Sequence, residues 1–486
     1  MAIQPTPTLD LNLYPHGQLA ERCGLLIKQM ADWENSQGAR KRTLKPHDRL
    51  ARDTTGKVLL ANLYQAWKGD PLATLGVILK KNFYSIQRGK IGPYISYTAM
   101  KTLLTFLSDR NLIEIASKGK KHPEAKTGIP TQIRAQKDLF EYLYQDAGEY
   151  DLRAVHPPVI LKATKEEGKK TILYEADHHI EEIEQGVDFI NQKLLESWPD
   201  IQLSDQDMAR FKDEGIDLCP KIYTHRTVYR VFNNGTFDEG GRFYGGWWQQ
   251  VPSRLRQHIT IDGMPTVEMD YSALHPRLIY AEKGLEFNGD PYDVGLDDKF
   301  RPLVKVTFQK LINGRGEARQ PRPGSNEPTF DPSDVGLSWK QFVDQIKDAH
   351  SQISDLFGTG IGLRLQRRDS DIAQAVMLEF NQWGIPMLPI HDSFLVSLRY
   401  EGDLLLAMRR AMKKHSGIDV PIKNANRSIS NLTAQLSKHW EQYDQYDPSQ
   451  DHNQEPELTG LFVSGYEGYQ KRVGDMVREK HRRTFG

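Results

Sequence analysis

Two stretches, far apart in the chain, each read as a strand that runs into a turn carrying an aspartate. Together they restrict the fold more than any other feature. In the first, Thr266, Val267 and Met269 are good strand residues and Asp270 closes the run. A polar, turn-capable segment follows, and Leu278-Ile279-Tyr280-Ala281 then resumes an apolar pattern. The expectation is a strand ending in Asp270 that turns into a helix. In the second, Leu388 to Val396 reads as two short strands with His391-Asp392 at the turn between them. Two strand-end carboxylates could hold a pair of divalent cations, able to activate an attacking hydroxyl and steady a departing pyrophosphate. Taken singly, either reads as an ordinary turn carboxylate.

A chain of 486 residues is too long for one core, so two or three domains are expected. Lys+Arg and Asp+Glu both number 64, so no overall field draws the protein to nucleic acid, and any such binding must come from local patches. Cys23 and Cys219 are the only cysteines. They support neither a disulfide framework nor a zinc site, which fits a reducing, cytoplasmic setting. No signal peptide and no apolar run long enough to span a membrane is visible.

Residues 1–45 form a Pro/Thr-rich lead with an amphipathic helix near Gln18 to Trp33. The basic cluster Arg40, Lys41, Arg42 and Lys45 reads as a solvated face, with phosphate contact as the alternative. Residues 46–150 read as a small helical domain. Val58 to Trp67 has helical periodicity, and Ser96-Tyr97-Thr98 caps a helix with Met100, Leu103, Leu104 and Leu107 on one face. Asn111 to Ile115 predicts a strand, Lys118-Gly119-Lys120-Lys121-His122 a basic loop, and Thr131 to Ala135 the return strand. Helix, strand, basic loop, strand resembles a winged helix-turn-helix. The resemblance implies DNA contact through Lys118, Lys120 and Lys121, with docking to another protein as the alternative.

Residues 151–215 open with a Pro-containing linker and carry a helical pattern from Ile180 to Trp198, a thumb-like segment. Residues 216–440 hold the chemistry. Asn233-Asn234-Gly235 is a turn signal, followed by Asp238-Glu239-Gly240-Gly241-Arg242. The glycines let backbone approach nucleic acid closely, and Arg242 can donate in fork geometry. Trp247 and Trp248 read as core residues, with base stacking as the alternative. Further on, Asp297 and Asp298 precede Arg301-Pro302, a helix-start signal, and Asn313-Gly314 ends the pattern. Arg301, Lys305, Gln309 and Asn313 recur every four residues and so share one face. Residues 441–486 are an acidic, polar linker and then a basic helix, Tyr469 to Arg483, that could follow a phosphate backbone.

These residues carry a second resemblance. The Asp270 and Asp392 stretches resemble motifs A and C of the polymerase palm, and His391-Asp392-Ser393-Phe394 has the form found in phage-type and mitochondrial single-subunit RNA polymerases. Asp238 to Arg242 matches their Asp-x-x-Gly-Arg and is similar to Thr-x-x-Gly-Arg of family A DNA polymerases. The helix from Arg301 resembles motif B, although Asn313 stands where both families have Tyr. Gln366, in Leu365 to Ile372, is similar to the family A glutamine that contacts primer-template.

The resemblance implies a multidomain α+β right-hand polymerase, palm and fingers, with the N-terminal winged helix as an appendage. Asp270 and Asp392, with the Tyr271 carbonyl, would hold two Mg²⁺, for which Mn²⁺ could substitute. Arg301 and Lys305 would meet the triphosphate of a nucleoside triphosphate, flanked by Gln309 and Asn313. Arg242, Gln366 and His391 would meet primer-template. The fifth residue after Asp270 is His275, where family A has Glu and the RNA enzymes Gly, so its imidazole would stand beside the sugar. It could crowd a 2′-hydroxyl, hydrogen-bond one, or simply pack under the turn. The residues point to a DNA polymerase. A single-subunit RNA polymerase or primase is the alternative, and a DNA-binding factor with an inactive palm is a second. The oligomeric state is not written in the sequence.

Overall fold

A computed structural model describes residues 8–38, 44–69, 71–81, 83–84, 95–120, 129–144, 152–201, 224–322 and 324–425. Lys121, most of the basic cluster before Lys45, Cys219, the end of the thumb-like segment and everything from residue 426 onward lie outside them.

The N-terminal part grows around long amphipathic helices. Strand β1 (Leu13–Pro15) leads into α1 (Gly17–Ser36) and α2 (Pro46–Gly69), then β2 (Leu75–Val77) and α3 (Tyr97–Asp109). Ser96 caps α3 as its sequence predicts, its side chain accepting from the Ala99 amide. Strands β3 (Ile113–Ser117) and β4 (Thr131–Ala135) and helix α4 (Lys137–Tyr144) follow. The three strands pair antiparallel in the order β2-β4-β3. Leu19, Leu26, Leu59, Leu63, Leu103, Leu107, Ile133 and Leu139 share one apolar core, so the lead helix packs with the helices after it. Strand β3 begins two residues later than its pattern predicts. Asn111 takes a left-handed φ of 55°, and the Leu112 amide closes back on the Leu107 carbonyl at 2.8 Å, ending α3 there.

Strand β5 (Leu152–Ala154) pairs with β1 and returns the chain toward its start. Next come β6 (Val159–Lys162), β7 (Thr171–Ile172), α5 (His178–Glu196) and β8 (Pro199–Ile201), and then β9 (Tyr229–Phe232) and β10 (Gly240–Tyr244). A four-stranded sheet has the order β10-β9-β6-β7. The turn into β10 needs glycine at two positions. Gly240 and Gly241 have φ of 83° and 82°, and side chains there would run into Asn233 and Arg230.

The remaining strands are β11 (Ile259–Ile261), β12 (Met264–Tyr271), β13 (Leu388–Ile390), β14 (Ser393–Ser397) and β15 (Ile422–Asn424). They form a second sheet with β8, in the order β13-β14-β12-β11-β8, with β15 also on β12. Helices α6 (Leu274–Glu282), α7 (Arg301–Asn313), α8 (Trp339–Ala349), α9 (Gly362–Gln382) and α10 (Glu401–Ser416) complete the described chain. Buried α9 packs against β10, α5, α6, α7 and α10. Trp247 and Trp248 are fully buried, and the Trp248 indole donates to the Pro389 carbonyl, so both are core residues and not stacking platforms. The architecture is mixed α+β. No helix among the described residues is long and apolar enough to cross a membrane.

Candidate active site

Strand β12 is the spine of the site. Alternation along it sends Glu268 and Asp270 to one face. Glu268 is buried, accepts from Arg256 Nη1 at 2.7 Å, and accepts the Ser393 hydroxyl at 2.8 Å. Ser393 pairs with Asp270 across the β12–β14 ladder. Its hydroxyl therefore pins the β13–β14 turn, which carries Asp392, to the strand that carries Asp270. His391 makes that turn with a left-handed φ of 58°. After Tyr271 the chain reverses through Ala273, φ 50°, into α6.

Ten residues singled out from sequence meet around one cleft of about 520 Å³: Arg242, Asp270, Tyr271, His275, Arg301, Lys305, Gln309, Asn313, Gln366 and Asp392. They come from β10, β12, α6, α7, α9 and the β13–β14 turn. Burial and the neighbouring Asp392 push the Asp270 carboxyl up to about 6, against the pull of Lys423. Lys423 Nζ stands 3.1 Å from Asp270 Oδ2, brought there by β15, whose Lys423 pairs with Asp270 in register. The centre is thus two neighbouring carboxylates with one ammonium on Asp270. Among the described residues no group of three or more His, Cys, Asp or Glu side chains is arranged to hold a metal. A cation here would take the two carboxylates and fill its shell from backbone carbonyl, water or phosphate oxygens, a donor set of oxygens that suits magnesium.

The cleft wall on α7 is cationic. Arg301 Nε meets Asp290 Oδ2 at 2.5 Å, and its guanidinium lies over the Tyr292 ring at 5.2 Å. Lys305 is exposed on the same wall. Asn313 Nδ2 donates to the Gln309 carbonyl at 2.8 Å. Its side chain fills the space a Cβ on Gly362 would need, so the small residue there lets α7 and α9 close on each other.

Other side chains behave differently from their sequence reading. The Tyr271 hydroxyl donates to the Met408 carbonyl at 2.6 Å and the ring is buried, so what it offers the cleft is backbone. His391 lies outside the cleft lining, 5.7 Å from the Tyr244 ring, and burial holds its imidazole below the usual range. Lys118 and Lys120 are exposed on the N-terminal sheet, away from the cleft lining. Arg242 is engaged within the protein, donating to Asp369 Oδ2 through Nε at 3.1 Å and Nη2 at 2.6 Å.

Three residues at or behind the cleft escaped sequence reading. Lys423 and Asp290 carry no local pattern, because register and loop packing bring them in. Asp369 stands three residues after Gln366, and only its burial sets it apart.

No family model matches the chain, and no curated protein matches it. Among solved structures the chain is similar to the POL domain of Pol1 from M. smegmatis, described in complex with DNA primer-template and dNTP. The likeness has 12% sequence identity and a TM-score of 0.31, and covers 85% of this chain and 66% of that one, just under two thirds of its length. A superposition this loose fixes neither fold nor activity.

Proposed function

We propose that the chain is a template-directed nucleic-acid polymerase of right-hand type, with β12–β14 as palm and α7 as fingers helix. The observation that carries this reading is that Asp270 and Asp392 line the same cleft as Arg301 and Lys305. Nucleotidyl transfer needs both walls, anionic where the attacking hydroxyl meets its cations and cationic where the triphosphate lies. Asp270 and Asp392 would hold two Mg²⁺, which when bound lower the pKa of a primer hydroxyl and neutralise phosphate oxygens. Lys305, exposed on the wall, meets the triphosphate first, and Arg301 joins it by leaving Asp290. Arg242 and Gln366, which also line the cleft, would meet primer-template.

The product is DNA on this reading. His275 is 7% exposed and its Nε2 is held by Asp369 at 2.7 Å, so it presents a fixed imidazole rather than a free one. A fixed ring excludes a 2′-hydroxyl better than it accommodates one. The N-terminal unit supports a winged helix for duplex DNA, since its strand order is β2-β4-β3 and α3 runs directly into β3. The test is primer extension by the purified chain with Mg²⁺ and either deoxynucleotides or ribonucleotides. Extension with deoxynucleotides is expected. Preference for ribonucleotides reverses the sugar assignment, and extension with neither leaves a DNA-binding factor.

A further inference from the structure

Asp369 is the most completely buried carboxylate bordering the cleft, its side chain 0% exposed, and it does not itself line the cleft. One oxygen, Oδ2, receives three contacts: Arg242 Nε at 3.1 Å, Arg242 Nη2 at 2.6 Å and His275 Nε2 at 2.7 Å. The other oxygen accepts the Ser370 hydroxyl at 3.0 Å. Burial pushes the Asp369 carboxyl up, but His275 and Arg242 more than offset this and leave it below the usual range. It is therefore an acceptor only. The shorter contact of His275 Nε2 is to the acceptor-only Asp369, so that nitrogen carries its hydrogen toward Asp369, which fixes the tautomer and the plane of the ring. Arg242 Nη2, 3.2 Å away, can only donate and therefore packs against the protonated nitrogen without bonding to it.

These three residues come from α9, β10 and α6. Arg242 already supplies the opposite charge that a buried carboxylate requires. The second bond, to His275, orders a side chain that does line the cleft. We propose that Asp369 is a positioning residue for sugar selection: it holds His275 and Arg242 on one oxygen, so that the imidazole wall and the Gly-Arg turn act as a single rigid unit beside the sugar of the incoming nucleotide. This rests on the polymerase reading, in which His275 faces that sugar. Asp369 touches no substrate. It acts through the ring it holds.

The test compares equilibrium binding of dATP and ATP to the full chain with Mg²⁺, in wild type, Asp369→Asn, His275→Ala and the double variant. Wild type is expected to favour dATP. Asp369→Asn should cut that preference at least fivefold, toward the His275→Ala value, and the double variant should fall no further than His275→Ala. A purely structural role would instead lower the melting temperature and weaken both nucleotides equally. Two further measurements hold if Asp369→Asn does not fold. Nitrogen-15 spectra of wild type should show His275 protonated at Nε2. His275→Phe, which keeps the ring but not the bond, should lose most of the preference.

The proposal is overturned by wild-type preference in Asp369→Asn or in His275→Phe, by independent effects that multiply in the double variant, by an Nδ1–H tautomer, or by a wild type that binds both nucleotides equally. Failure of the underlying reading has a separate signature. A wild type that prefers dATP but extends no primer removes the polymerase and leaves Asp369 to be judged on the binding ratio. A wild type that extends primers while Asp369→Asn keeps its preference removes only the role of Asp369.

Discussion

The N-terminal unit around α1–α4 and the sheet around Asp270 treat charge in opposite ways. In the first, the core is apolar, and pairs such as Lys57–Asp53, Arg134–Glu114 and Lys137–Glu141 lie at the surface. Such pairs contribute little. Glu34, buried close to Arg52, is an exception. In the second, Glu268 and, on α9, Asp369 are nearly or fully buried with partners from other elements, as is Arg230 on β9 of the four-stranded sheet. Arg230 alone meets Gln374, Asp371 and the Gly241 carbonyl. Burying ionised groups is costly, and removing one partner strands the other. The N-terminal unit is built as a scaffold is built. The second region concentrates cost around one cleft, the pattern expected where charge placement serves chemistry.

One substitution tests that contrast from both sides. Asp270→Asn or Asp392→Asn should lower nucleotide addition at least a thousandfold, about 4 kcal/mol of lost transition-state stabilisation, while duplex binding persists. Near wild-type extension by either variant would remove the two-cation site. In metal-free protein Asp270→Asn should do the reverse and stabilise. The folded carboxyl is raised to about 6 from the ordinary aspartate range near 4, so the folded state holds its proton more tightly than the unfolded. The penalty for ionising it is absent below about pH 4 and complete above about pH 6. A shift of that size corresponds to at most about 3 kcal/mol, and with one side of the cleft open about 1–2 kcal/mol is expected. Denaturation in chelator at pH 7.5 should show the gain, and at pH 4 it should vanish. A gain equal at both pH values would show that charge is not its source.

The sugar contact comes next in size. His275→Ala should raise ribonucleotide insertion more than tenfold relative to deoxynucleotide, about 1.4 kcal/mol of discrimination. Single-turnover insertion of each nucleotide on one primer-template measures it. An unchanged ratio would leave His275 as packing beneath the turn.

What the sequence revealed follows the range of the forces involved. Strand β12, the β13–β14 turn and α7 were readable because each is set by local alternation, turn chemistry and helix signals. The face formed by Arg301, Lys305, Gln309 and Asn313 followed from four-residue spacing alone, and all four reach the cleft. Lys423 was not readable. Its place depends on β15 lying in register on β12, and nothing local to Ile422-Lys423-Asn424 encodes that. The attachment of Arg301 to Asp290 and of Arg242 to Asp369 was hidden for the same reason. Sequence spacing says which residues share a face, while partners across the fold decide which of their charges are already engaged.

The smallest effect belongs to the scaffold-like half. Lys118 and Lys120 are exposed at the start of the β3–β4 connection, where Lys120 bridges to Ile129 and the Gly119 amide is held by the Thr131 hydroxyl at 3.1 Å. Lys101 and Thr105 are exposed on α3. If this unit grips duplex DNA, the lysines meet phosphate, and each contact releases condensed counterions on binding. Changing Lys118, Lys120 and Lys121 to Ala should flatten the salt dependence of duplex affinity by about one unit per lost contact. Insertion on a primer-template already bound at saturation should stay within about twofold, because neither Lys118 nor Lys120 lines the cleft. The measurement is duplex affinity across a salt series, paired with single-turnover insertion at saturating DNA. An unchanged slope would make the unit a surface for another protein, and the contrast between the two halves would then be one of partners as well as of charge. A flattened slope with a large loss of insertion at saturation would break the contrast outright, since it would place the wing within the catalytic geometry.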